Sequence, residues 1–193
     1  MESIKKNNDE KTAAIFLAEG FETVEALAVV DLLRRAGINI CMVSVTDDKN
    51  VTTSHGITVV ADALLKDVDF DSLDMMILPG GMPGTLNLEK HAELMKRLDS
   101  FNEKGGMIAA ICAAPSILAH RGILKGIHAG AYPGYEKDLE DGGAIVSMNS
   151  STTDGRIITA RGMGCAVDFG LDIIAMLKGQ SESDRIRKAI VAC

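Results

Sequence analysis

Short apolar runs alternate with amphipathic stretches along almost the whole chain. The runs "TAAIFLA" (12–18), "INICMVSV" (38–45), "DMMILPGG" (74–81) and "GGMIAAI" (105–111) are nearly continuous, as in strands buried on both faces. Between the first two, "ETVEALAVVDLLRRAG" (22–37) has helical periodicity and closes on Gly37. A second helix is predicted from Thr85 to about Lys104, and a third from Pro115 to His120. "GITVVAD" (56–62) alternates weakly and predicts a hairpin arm or a small side strand. Further on, "AIVSMN" and "RIITARG" flank a turn at Asp154-Gly155, a helix covers about 165–178, and "ESDRIRKAIVA" forms a short last helix. This order predicts an α/β fold: a mainly parallel sheet with helices on both faces, in three layers. No repeat or linker divides residues 11–193, which are expected to form a single domain, and residues 1–10 read as a disordered tail.

Composition removes several classes of partner. The net charge is −7, and no stretch clusters lysine or arginine with aromatics, so nucleic acid and anionic membranes are not expected partners. No apolar run approaches the ~20 residues of a membrane span, and the N-terminus lacks a signal-peptide core. The four cysteines (Cys41, Cys112, Cys165, Cys193) form no CxxC pair, so reduced thiols in a cytoplasmic protein are the expectation.

Ligands of such sheets bind at the carboxyl ends of the strands, here "LAEGFETVE", "ILPGGMPG" and "AICAAP". Phosphate cofactors do not fit them. There is no GKS or GKT, and "GMGCAVDFG" (162–170) places Val167 where a dinucleotide loop needs its third glycine. Glu19, Glu22 and Glu25 after the first strand would repel phosphate. His55, His91, His120 and His128 have no metal-binding spacing, and no GxSxG is present. Neither cofactor nor metal is expected.

Cys112 stands out by position. It ends a buried strand and precedes a helix whose first turn holds Pro115, so unpaired N–H donors and the helix dipole would lower its pKa and favour thiolate. Cys41, in mid-strand, reads instead as inert core. Glu25 lies one turn into the first helix, at the same end of the sheet. Beside a thiolate it must hold a proton, and the two would titrate as a coupled pair. Gly80-Gly81 would bring bare amides to a developing oxyanion.

Six segments in order, "AEGFETVEA", "VDLLRRAGI", "ILPGGMPG", "AAICAAP", "AYPGYEKDL" and "TARGMG", resemble the ThiJ/PfpI superfamily, in its DJ-one branch, over about residues 11–190. The resemblance implies a flavodoxin-like sandwich, a homodimer, a reactive elbow cysteine at Cys112, a protonated acid at Glu25, and an oxyanion pocket from the Gly81 and Ala113 amides beside Gly80. Asp31 and Arg35 match the family pattern. Tyr132 stands where that branch often has histidine, and His55 where it often has arginine, making any anion contact there pH-dependent. The residue after the nucleophile is Ala113, and a downstream His-x-Glu is absent, which disfavours peptidase and amidotransferase chemistry. The implied function is a cysteine-dependent enzyme for small reactive carbonyls, of glutathione-independent glyoxalase or deglycase type. The alternative is an oxidative-stress sensor or redox-regulated chaperone acting through oxidation of Cys112.

Overall fold

The computed structural model describes residues 11–192; the tail expected at 1–10, and Cys193, lie outside them. The first half of the chain runs β1 (Thr12–Leu17), α1 (Thr23–Arg35), β2 (Asn39–Ser44), a hairpin of β3 (Asn50–Thr52) and β4 (Thr58–Val60), then β5 (Ala63–Leu64) and β6 (Met75–Leu78). It continues through α2 (Gly84–Lys90), α3 (Ala92–Glu103), β7 (Met107–Ile111) and α4 (Pro115–His120). The remainder is β8 (His128–Ala129), α5 (Glu136–Asp141), β9 (Ile145–Val146), β10 (Ser151–Asp154), β11 (Ile157–Ala160), α6 (Ala166–Lys178) and α7 (Gln180–Ala189).

Seven strands form the central sheet in the order β10-β11-β7-β6-β1-β2-β5, parallel except at β10. Strands β7, β6 and β1 are therefore neighbours, and their carboxyl ends open side by side. Successive residues of these strands face opposite layers, and both layers are apolar. Ile15, Ile77 and Ile111 join the core under α1 and α6, while Phe16, Leu78 and Ala110 join the core with α3 and α4. Each fully buried side chain of this size contributes roughly 1.5–3 kcal/mol. This is the mainly parallel, helix-flanked sheet that the pattern predicts.

Three local expectations are corrected. The helix expected from Thr85 to Lys104 is two helices, because His91 adopts extended backbone (ψ 93°) and its Nδ1 accepts the Leu94 N–H, capping α3. "RIITARG" is not faced across the turn by "AIVSMN". Its antiparallel partner across the Asp154-Gly155 turn is β10, and Ile145–Val146 pairs parallel with β8 in a separate ribbon. The last helix starts earlier, at Gln180.

Candidate functional site

The site is assembled from the ends of β1, β6 and β7. After β1, Glu22 caps α1: its Oε2 accepts the Glu25 N–H at 2.7 Å, and its own N–H donates to the Gly80 carbonyl at 2.9 Å. That lacing fixes the first turn of α1 against the β6 end. Glu25 is thereby carried inward and is only 1% exposed. Its Oε2 accepts the Gly80 N–H at 3.0 Å.

Cys112 follows β7 in the left-handed region, φ 65°, unusual for a residue with a side chain. Two hydrogen bonds hold it there: its N–H donates to the Ala160 carbonyl at 2.9 Å, and its carbonyl accepts the Tyr132 N–H at 2.8 Å. The turn presents the half-buried thiol to the Glu25 carboxyl, with which it shares a hydrogen bond, while the amides of Ala113 and Gly81 point at the sulfur. Gly80 leaves the room for this meeting. A Cβ there would stand 2.6 Å from the Cys112 Cβ and 2.7 Å from Glu25 Oε2. Gly81 is equally constrained, at φ 94° with no space for a side chain against the Glu22 amide.

Electrostatics departs from the sequence expectation at one point. Burial pushes the Glu25 carboxyl up to about 7, against the opposing hydrogen bond from Cys112. Burial, then the Glu25 charge, pushes the Cys112 thiol up to about 12. The Ala113 and Gly81 amides do act to lower the thiol pKa, as expected, but they are outweighed. Helix α4 is only six residues long, so its dipole is a weak counterweight. The thiol is thus not a free thiolate: thiol and carboxyl together keep one proton from about pH 7 upward.

Tyr132 lies at the mouth, half exposed, its ring against Gly162 and near Glu25. The other residues singled out are not brought here. Asp31 and Arg35 pair with each other at 2.6 Å on the exposed face of α1. His55 is exposed, and its ring hydrogen-bonds Ser54. His120 pairs with Glu89 and His128 with Asp154, both exposed. Cys41 is buried in β2, and burial pushes its thiol up to about 11. Sequence reasoning missed Tyr135, whose hydroxyl reaches Met82 Sδ at 3.9 Å and whose phenol is pushed above its ordinary range by burial first, and then by its nearness to Cys112. Its signal was available, since Tyr132 and Tyr135 are the chain's two tyrosines. A cavity of about 410 Å³ lies elsewhere, between Val45, Leu65, Phe70 and Arg97. Among the described residues, no cluster of His, Cys, Asp and Glu is placed to hold a metal.

The fold has close counterparts among known proteins. Toxoplasma gondii DJ-1, in a structure described as oxidized, superposes with a TM-score of 0.89 at 31% identity, covering 94% of this chain and 98% of that one. The glutathione-independent glyoxalase DJR-1.2 of Caenorhabditis elegans is 31% identical over 182 residues, 94% of this chain and 96% of that protein. The Arabidopsis thaliana protein DJ-1 homolog A is 35% identical over 182 residues, and the chain spans 46% of its length. Residues 11–176 match the DJ-1/PfpI family over the whole set of strands and corners described above, and the chain belongs to that family.

Proposed function

We propose that this protein is a cysteine-dependent enzyme that converts small 2-oxoaldehydes, or their adducts, without glutathione. The observation that carries the reading is the convergence on one sulfur of an acid that holds a proton near neutrality and two backbone N–H donors. A relative named as a glutathione-independent glyoxalase supports it.

Methylglyoxal is the simplest case. Sulfur bonds to the aldehyde carbon, the C=O π pair moves to oxygen, and oxygen takes the proton shared by Cys112 and Glu25. The product is a hemithioacetal, its oxygen held by the Gly81 and Ala113 amides. Donors of this kind are typically worth about 3–4 kcal/mol each at a developing oxyanion. Glu25, now a carboxylate, removes the C–H proton from that carbon and returns it to the adjacent carbon. The hemithioacetal O–H proton passes to the ketone oxygen, so the ketone becomes a hydroxyl and the sulfur-bearing carbon, its C=O restored, becomes a thioester. Water then cleaves the C–S bond, Cys112 regains its proton, and a 2-hydroxy acid leaves. Aldehyde plus water gives hydroxy acid, with no external cofactor. We place this chemistry in a cytoplasmic homodimer, residues 11–193 forming one domain.

The same donor set favours a second reading. A sulfinate formed by two peroxide oxidations of Cys112 would find the Gly81 and Ala113 N–H groups and the Glu25 O–H around its oxygens, which suits an oxidation sensor. Glutathione-free loss of methylglyoxal with formation of lactate tests between them. The enzyme reading expects turnover in wild type that falls about 100- to 10,000-fold in Cys112→Ser and in Glu25→Gln. Absence of turnover in wild type, with Cys112 still gaining the mass of two oxygens under peroxide, overturns it in favour of sensing.

A further inference from the structure

The carbonyl chemistry proposed above leaves open what substituent the aldehyde carries. The mouth of the site bears on this. Both tyrosines of a chain with 4% aromatic residues stand within one turn that is pinned to the nucleophile. The Tyr132 N–H donates to the Cys112 carbonyl at 2.8 Å, and the Tyr135 N–H donates to the Tyr132 carbonyl at 3.1 Å. The Tyr132 ring lies over Gly162, at 3.3 Å from where a Cβ would stand, and Glu25 Oε1 is 4.0 Å from that same point. The ring and the carboxyl thus both approach Gly162, and the Tyr132 side chain is 51% exposed. Met82 follows Gly81, whose amide points at the sulfur; it is 47% exposed and is touched by the Tyr135 hydroxyl. The polar pair at the bottom is thus rimmed by two phenols and a thioether, the soft surfaces that flat π-systems pack against.

Attack on the aldehyde carbon fixes where a substituent goes. With the carbon bonded to sulfur beside the Gly81 and Ala113 amides, and its neighbour placed to receive a proton from Glu25, the neighbour's substituent would project outward to the rim. A methyl group would leave the rim exposed, whereas an aryl ring would cover it.

We propose that this site is specific for 2-oxoaldehydes whose second carbon carries an aromatic group, with Tyr132 as the residue that sets the preference. The inference rests on the carbonyl reading for its reaction and on the rim for its selectivity.

The experiment compares kcat/KM for phenylglyoxal and methylglyoxal in wild type, Tyr132→Ala and Tyr132→Phe. The ratio is internal to each protein, so loss of folded material cancels. Wild type is expected to favour phenylglyoxal about 10-fold, Tyr132→Phe to keep that ratio, and Tyr132→Ala to lose most of it, chiefly through KM. A ratio near one in wild type, or one unchanged in Tyr132→Ala, overturns the proposal. The alkylation rates of Cys112 by N-phenylmaleimide and N-methylmaleimide, each divided by its rate with glutathione, test the same rim without turnover. There too the aryl reagent is expected to gain about 10-fold in wild type and to lose it in Tyr132→Ala. Failure of the carbonyl reading shows as no turnover of either aldehyde; failure of the rim shows as equal maleimide ratios in all three proteins.

Discussion

Replacing Glu25 with glutamine is expected to stabilise the protein, and by an amount that grows with pH. The carboxyl is 1% exposed, and burial raises its pKa from 4.5 to about 7. A raised acid contributes most to the folded state below its unfolded value, where it is protonated in both states. That contribution is lost as pH rises toward the folded value, because the unfolded chain ionises freely while the buried group resists. A tenfold difference in proton affinity between the two states is worth about 1.4 kcal/mol, so the full loss is about 3 kcal/mol. From about pH 5 to about pH 8.5 the wild type should therefore lose roughly 2.5 kcal/mol that Glu25→Gln does not lose. Glutamine keeps the shape, accepts the Gly80 N–H through its amide oxygen and offers an N–H to sulfur. Urea unfolding of both proteins across that range gives the difference directly. Thermal scans should show the wild-type Tm dropping about 5–10 °C further over the same interval, for a domain of this size. If the two proteins lose stability in parallel, Glu25 is not a buried acid under strain, and the shared proton of the site falls with it.

Three other outcomes follow from the same geometry. Alkylation of Cys112 by iodoacetamide should stay slow through neutral pH in wild type and rise only well above the ordinary thiol range, because burial and then the Glu25 charge hold the thiol protonated; in Glu25→Gln, which removes that charge, the rise should begin at lower pH, and an inflection near ~8.5 in both proteins would contradict the pairing. Gly80→Ala should lower aldehyde turnover at least about 100-fold, because its methyl would stand 2.6 Å from the Cys112 Cβ and 2.7 Å from Glu25 Oε2, and unfolding should show a loss of about 1–3 kcal/mol from overpacking. Phe16→Ala, in the centre of β1 and fully buried, should cost about 3–5 kcal/mol in chemical denaturation while leaving the Cys112 inflection in place.

What the sequence made legible was whatever is encoded within a few neighbouring residues. The β7 run followed by Pro115 marks a strand entering a helix, and the element bounds agree with that reading. "AIVSMN" was equally clear as an apolar run, but its partner was not, because strand pairing is decided by distant residues: Ile145–Val146 meets His128–Ala129. The Asp31 and Arg35 pattern is present in order, yet α1 turns both side chains to solvent, where they satisfy each other. The thiol is the most instructive case. Its place before a helix argued for a lowered pKa, which depends on local backbone; its burial beside Glu25, which raises the pKa, depends on three strand ends meeting. Local sequence carries the first influence and hides the second.

The unfavourable features of this fold are not scattered. A non-glycine residue at φ 65°, a carboxyl held at 1% exposure, and a glycine whose neighbours leave no room for a methyl group all occur within a few ångströms of one sulfur. Left-handed backbone of this kind costs about 1–3 kcal/mol, and ionising Glu25 at neutral pH adds a similar amount. Serving packing alone, the corner would carry glycine at 112 and an apolar side chain at 25, and it would be more stable. The Glu25 N–H bond to Glu22 and the two backbone bonds on Cys112 hold the costly arrangement in place. Stability is thus given up at the one position where a proton can pass between carbon, oxygen and sulfur. That trade links the two measurements above. Glu25→Gln, which stabilises the protein at high pH, should also be one that impairs its chemistry.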